Sequence, residues 1–190
     1  AALMAYAMGT KVDNIRQGLR TFDTSFFQVP GRMNVYDEHP FKVILDYGHN
    51  PAAVLAMVSL VARLDVEGKR ICVVSAPGDR RDEDIREIAR NIAAGNFNEI
   101  ILRRDDSRRG RGDLEVPKIL EDELLMNGVD SQSIQIIVDE QEAVDAALNL
   151  AKRGDLVLIF GDATTRCWKQ IVSFAPDSGA GTPAEETEDA

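Results

Sequence analysis

Two cysteines are present among 190 residues, Cys72 and Cys167, far apart and without CxxC spacing. That excludes a disulfide framework and a cysteine zinc site of familiar spacing, so a reducing cytoplasm is the expected compartment. No apolar run approaches the ~18–20 residues of a membrane span, and no basic-then-apolar segment opens the chain. Positive charge is also short. Against 32 Asp and Glu stand 22 Lys and Arg, a formal net charge of −10. Such a chain is a poor partner for nucleic acid or a membrane surface. Missing too are GxGxxG, a GKT or GKS P-loop, HExxH, a Ser-His-Asp set, a metal-ligand cluster and any internal repeat.

What is present is an ordinary globular composition, 44% apolar and 28% charged. Residues 1–28 carry apolar positions at helical spacing (Leu3, Ala7, Ile15, Leu19), split into two helices at Gly9-Thr10. No cap precedes the first helix, so the chain is expected to be a fragment of something longer. Short apolar strands are predicted at 42–46, 70–76, 99–104, 134–138 and 156–160. Helices alternate with them at 51–64, 82–94, 116–127, 140–152 and 163–172. Continuous apolar strands in βα alternation imply an α/β fold. The expected form is an open, mostly parallel, doubly wound (Rossmann-like) sheet of five to six strands with helices on both faces. A TIM barrel would need eight units and about 250 residues. Residues 29–40 read as a linker and 41–172 as the α/β unit. The stretch 173–190 is acidic, with Pro, Gly and Ser, and is expected to be disordered.

Ligands of open α/β sheets collect at the carboxyl ends of strands. Four segments fall there. In "DYGHNP", Asp46, His49 and Asn50 lie beside a helix N-terminus, which favours anionic ligands. Asn50 as a helix cap and Asp46 as an acceptor of loop amides explain those two residues equally well. In "SAPGDRRDEDI", Asp79, Arg80 and Arg81 could position a substrate, but a polar turn with Asp82 capping a helix is the preferred reading. "RRDDSRRGRG" sets five arginines around Asp105 and Asp106. Arg matches carboxylates, and paired carboxylates hold a guanidinium, so a zwitterionic ligand is conceivable; a solvated charged loop is the commoner meaning. "GDATTR" (161–166) turns into the last helix at Thr164 or Thr165. Ahead of these, "VPGRMN" places Arg32 on a Pro-Gly turn, where a lone Arg normally has no role. His39 receives none.

In this order and spacing, "PGRMN", "DYGHNP", "PGDRRDED", "RRDDSRRGR" and "GDLVLIF" resemble the C-terminal domain of the Mur ligase superfamily over residues 1–172. "GDRRDED", the Asp-Asp-x-Arg-Arg-Gly-Arg stretch and Asn34 make the cyanophycin synthetase branch the nearest likeness. "FGDATTR" departs from the Glu-Ser-containing pattern of the family, and the acidic tail matches none of its motifs.

The resemblance implies that 1–28 are the last helices of a central P-loop domain, 29–40 a Gly-Arg hinge, and 41–172 the domain that closes over ATP and Mg2+. It also implies catalytic roles for Arg32 and His49. Nucleotide contacts would come from Arg32 (phosphates), Asp46 (ribose), His49 and Asn50. Asp79, Arg80, Asp105, Asp106 and Arg108 would meet the incoming amino acid. The Asp pair would take a guanidinium and Arg108 a carboxylate. No metal ligand is expected in this chain.

The implied reaction is ATP-dependent: a carboxylate becomes an acyl phosphate and an amine displaces phosphate. In the cyanophycin synthetase branch, L-arginine is joined to the β-carboxylates of a polyaspartate (cyanophycin) primer. Upstream central and ATP-grasp domains, and a homo-oligomeric full-length enzyme, are the implied partners. Without its P-loop the fragment is expected to be inactive. The alternatives are a muramoyl-peptide or folylpolyglutamate-type ligase, or a non-catalytic binding or assembly module. A nicotinamide oxidoreductase ranks last, because the glycine fingerprint is missing.

Overall fold

A computed structural model of the chain describes residues 1–176. Helices α1 (Ala2–Ala7) and α2 (Val12–Thr21) come first, followed by β1 (Asn34–Tyr36), β2 (Lys42–Asp46), α3 (Pro51–Val61), β3 (Arg70–Val74) and α4 (Asp82–Ala93). Then follow β4 (Glu99–Leu102), α5 (Glu115–Met126), β5 (Ile134–Ile136), α6 (Glu140–Leu150), β6 (Leu156–Phe160) and α7 (Thr164–Ser173). The strands form one sheet in the order β1-β2-β6-β3-β4-β5, parallel except for β1. The expected open, doubly wound α/β sheet is therefore the observed one.

The apolar strands explain the layering. Ile44, Cys72, Ile100 and Leu158 point to one face, where α3, α4 and α5 pack, while Val43, Val73, Ile101 and Ile159 point to the other, under α6 and α7. Strand β6 lies between β2 and β3, and all five of its residues are buried. The helices bring matching stripes: Ile85, Ile88, Ala89 and Ile92 of α4 repeat at i, i+3, i+4, i+7 and are all buried. Helix starts carry local signals. Asn50 accepts a hydrogen bond from the Ala53 amide at 3.0 Å, with Pro51 following. Asp139 accepts from the amides of Gln141 and Glu142. Asp82, expected to cap α4, does not: Arg81 holds the cap position, and Asp82 lies in the first turn, where its charge suits the helix dipole.

Residues 29–40 are not simply a linker, because β1 lies within them and pairs antiparallel with β2, Asn34 opposite Leu45 and Tyr36 opposite Val43. Three residues between a Pro-Gly turn and Asp37-Glu38 are too few to display alternation in sequence. Strands predicted at 70–76, 99–104 and 134–138 end earlier, at Val74, Leu102 and Ile136. Just beyond those ends a few backbone bonds still link neighbouring segments, such as the Arg103 amide to the Val74 carbonyl (3.1 Å) and the Ile137 amide to the Leu102 carbonyl (2.9 Å). The tail expectation for 173–190 falls mostly outside the described residues; Ser173 itself closes α7.

The turn before β1 is fastened at several points. Asn34 is fully buried: its Oδ1 accepts from the Gly31 amide at 2.6 Å, and its Nδ2 donates to the carbonyls of Thr24 (2.7 Å) and Val29 (3.0 Å). Phe26 stacks on Trp168 of α7 with ring centroids 4.8 Å apart. The Gly31 carbonyl accepts from the Tyr47 amide at 2.8 Å. By contrast, α1 and α2 bury no residue at all.

Gly31 has φ 70°, and a Cβ there would lie 2.5 Å from Thr164 Cγ2. Gly31→Ala combines a left-handed backbone with a clash against α7. It is expected to destabilise the fold by about 1–3 kcal/mol in urea unfolding, whereas Gly112→Ala, with open space around it, should be near neutral.

Candidate functional site

The carboxyl ends of β2, β6, β3 and β4 lie side by side, and the loops leaving them gather the charged segments. After β2, Asp46 is buried and its carboxylate accepts from two amides, Met33 (2.9 Å) and Gly48 (2.7 Å). It thereby ties the Pro-Gly turn to the loop that starts α3. A side chain at Gly48 would meet Asp46 Oδ1 at 3.0 Å, so the loop closes tightly on this carboxylate. His49 Nδ1 lies 3.0 Å from the Tyr47 carbonyl. Its ring stands edge-on to the Tyr47 ring at 4.7 Å, and the Arg32 guanidinium lies 5.6 Å from the same ring centroid. Arg32, Tyr47 and His49 thus form one group beside the N-terminus of α3. Sequence reading gave Tyr47 no role; an aromatic between two polar candidates was its only signal.

The loops after β3 and β4 touch each other. A Cβ at Gly78 would sit 2.1 Å from the Arg108 carbonyl oxygen, so only glycine permits this approach. Arg111 fastens the contact, donating to the carbonyls of Gly78 and Arg80 (both 2.8 Å) and to Asp82 (2.7 Å). Asp79 pairs with Arg109 at 2.5 Å, a hydrogen bond that holds its carboxyl below the ordinary range. Among the described residues the Arg108 side chain pairs only with Asp113, at 3.4 Å, and remains largely exposed. Asp105 differs from its acidic neighbours. Burial pushes its carboxyl above the ordinary range, the nearby Asp162 adds to this, and its single hydrogen bond comes from the Ser107 amide at 2.8 Å. A depression of about 240 Å³ lies here, lined by Tyr47, Asp105, Asp106, Ser107, Arg109 and Asp162. Larger hollows, at the amino ends of the strands and along α7, include neither Arg32 nor His49.

Beneath this depression lies a network that sequence reading missed. Arg103 is fully buried. It pairs with Glu140 (3.0 Å) and Asp162 (2.9 Å), and it donates to the carbonyls of Phe160 (2.7 Å) and Arg104 (2.8 Å). Glu140, equally buried, also accepts from the Asp162 amide at 2.7 Å and from Arg166. Arg166 bonds Asp106 Oδ2 at 2.6 Å. Asp106, expected with Asp105 to take a guanidinium, therefore already has one from the chain itself. Cys72 and Cys167 are buried free thiols. Desolvation raises both, Cys167 to about 12, so neither is a ready nucleophile. Among the described residues no group of three or more His, Cys, Asp or Glu could hold a metal ion. No helix among them is long and apolar enough to cross a membrane.

Comparison with known proteins gives the family. The family described as Mur ligase, glutamate ligase domain matches residues 31–163. A cyanophycin synthetase of Crocosphaera subtropica is 39% identical over 166 residues, 87% of this chain and 19% of that protein. A UDP-N-acetylmuramoyl-L-alanyl-D-glutamate–2,6-diaminopimelate ligase of Aquifex aeolicus is 34% identical over 164 residues, 85% of this chain and 31% of its own length. In fold, the chain resembles Mycobacterium tuberculosis folylpolyglutamate synthase, solved with ADP and AMPPCP. The TM-score is 0.64 at 19% identity, covering 87% of this chain and 36% of that one. The chain thus spans about a fifth of the cyanophycin synthetase it matches. It belongs to the Mur ligase family and carries that family's C-terminal, glutamate ligase domain.

Proposed function

We propose that the chain is the nucleotide-closing domain of an ATP-dependent amide ligase, with L-arginine and a polyaspartate primer as substrates. A single observation carries this reading: Tyr47 bridges two chemically different half-sites. On one side stand Arg32, His49 and the N-terminus of α3, suited to phosphates. On the other is an acidic depression with Asp105 at its wall, suited to a cationic amino acid. The 39% identity to a cyanophycin synthetase supports arginine over other amino acids.

In this mechanism a substrate carboxylate attacks the γ-phosphorus of ATP, ADP leaves, and the amine of the amino acid displaces phosphate from the acyl phosphate. Arg32 offsets charge on the phosphates as they are transferred. His49, whose Nδ1 lies 3.0 Å from the Tyr47 carbonyl, has Nε2 left to meet the nucleotide in this reading. Asn50 orders the α3 N-terminus through its cap, and Asp46 shapes the loop, with a remaining lone pair for a ribose hydroxyl. Asp79 and Arg80 frame the second loop, Arg108 takes the amino-acid carboxylate, and Asp105 takes the guanidinium. Asp106 serves the same subsite while paired to Arg166. Mg2+ accompanies ATP and is held by groups supplied with the P-loop, outside this chain.

The domain division follows: 1–28 are the last helices of the central ATP-binding domain, 29–40 carry the Gly-Arg hinge together with β1, and 41–172 form the closing domain. The exposure of Leu3, Met4, Tyr6 and Met8 on α1 and its C-cap supports the first part. Closure of the hinge over ATP would shield the acyl phosphate from water. The isolated chain is then inactive.

The test is ADP release by the full-length parent protein with a β-aspartyl primer and each amino acid in turn. The expected result is release that requires L-arginine and falls at least ~100-fold in Arg32→Ala or His49→Ala. Release with meso-diaminopimelate or glutamate instead would favour the muramoyl or folylpolyglutamate type. No release with any amino acid would leave a binding or assembly module.

Asp105 gives a second prediction. Because its folded-state carboxyl is raised, the stability it contributes is present at low pH and is lost as pH rises through that raised value. Asp105→Asn should therefore melt higher than wild type at pH 7, with the gap closing near pH ~3.5, while raising the KM for arginine. An Asn variant that melts lower at pH 7 would overturn this.

A further inference from the structure

The incoming amino acid would sit on residues 105–108, a loop that follows β4 and has few apolar contacts of its own. Asp105 through Arg109 are only half-buried or exposed, and Arg109 has φ 48°. Something must nevertheless keep it in place. Two bonds do so at Asp106. Its amide donates to Asp162 Oδ2 at 3.1 Å, and its Oδ2 accepts from Arg166 Nη2 at 2.6 Å. Arg166 is in turn held by Glu140, whose carboxylate has no solvent exposure. The side chain of Arg166 is itself only 37% exposed, and its Nε is buried without a partner.

We propose that Arg166 is a positioning residue for the amino-acid subsite. It acts through Asp106 to hold Asp105 and Arg108 where the substrate's charged groups will arrive. The inference rests on the ligase reading above and changes one element of it: Asp106 anchors the loop instead of contacting the guanidinium. The physical reason is preorganisation. An unanchored loop would have to be ordered by the substrate, which raises KM for the amino acid and leaves ATP binding untouched. The two roles for Asp106 predict opposite signs. If Asp106 bound substrate directly, removing Arg166 would free its carboxylate and lower the KM. If it is an anchor, removing Arg166 raises it.

The experiment uses the full-length protein and steady-state ADP release, after wild type has shown amino-acid-dependent turnover. Absence of turnover in wild type counts against the ligase reading and, with it, against this inference. With turnover in hand, Arg166→Ala is expected to raise the KM for the amino acid about tenfold at unchanged KM for ATP. Arg166→Lys should recover part of the loss. Asp106→Asn should raise the same KM, and the double variant should be no worse than the worse single one, because both changes break one bond. A lowered or unchanged amino-acid KM in Arg166→Ala, effects that multiply in the double variant, or an equal rise in the KM for ATP would each overturn the inference with the ligase reading intact. Should Arg166→Ala be recovered unfolded, Arg166→Lys, Asp106→Asn and their double variant decide by the same criteria.

Discussion

The guanidinium of Arg103 and the carboxylate of Glu140 meet at 3.0 Å with no solvent exposure on either. Desolvating two ions costs several kcal/mol each, and only close geometry with further hydrogen bonds offsets it. Here the further bonds are present: Asp162 and two carbonyls on the arginine, two amides and Arg166 on the glutamate. Apolar residues of similar volume could fill such a space at little loss of stability. They could not fix the ends of β4 and β6 and the start of α6 relative to one another at the level of single bonds. What the pair provides is position, at the carboxyl ends of the strands.

From that edge outward, order is passed on by progressively more exposed bonds. Asp162 joins the buried pair to the Asp106 amide, and Arg166 joins it to the Asp106 carboxylate. The neighbouring loop is reached through backbone, where Gly78 lies against Arg108 and Arg111 spans both segments. The group around Tyr47 is built on another device. Asp46 and Asn34, both buried, bind amides and carbonyls of the Pro-Gly turn and set Arg32 beside Tyr47. The two devices meet at Tyr47, at the Gly161 amide bonded to the Asp46 carbonyl, and at α7, which carries Arg166 for one and Thr164 and Trp168 for the other.

The sheet and its covering helices were legible in the sequence because their signals are local and repeated. "KVILD" and "LVLIF" are unbroken apolar runs whose bounds the structure reproduces at 42–46 and 156–160, and the α4 stripe repeats every turn. Strand β1 was not legible, since three residues define no period and its pairing with β2 is set by the turn fastened through Asn34. Asp46, His49 and Asn50 were singled out because they flank a visible strand–helix junction, whereas Arg32, on the turn ahead of β1, entered only through the family resemblance. Arg103, Glu140 and Asp162 were invisible for the opposite reason. Arg103 and Asp162 are 59 residues apart, and each alone looks like ordinary surface charge: one of five arginines in a loop, an acid at a helix start, an acid in a turn. Only the strand order, which puts β6 two places from β4 with β3 between, brings their ends within reach of one another.

The distribution of neutralised charge completes the picture of the site. Around the depression, Asp79, Asp82, Asp106, Asp113 and Asp162 each have an arginine partner. Asp105 has none among the described residues, although it is more sheltered from water than Asp106 beside it. A loop holding Arg104, Arg108, Arg109 and Arg111 has no shortage of cations to supply. Leaving one half-buried carboxylate unpaired while pairing its neighbours costs free energy, because burial disfavours its charged form. The buried pair, the anchored loop and the unpaired carboxylate thus meet at one place, the carboxyl end of β4.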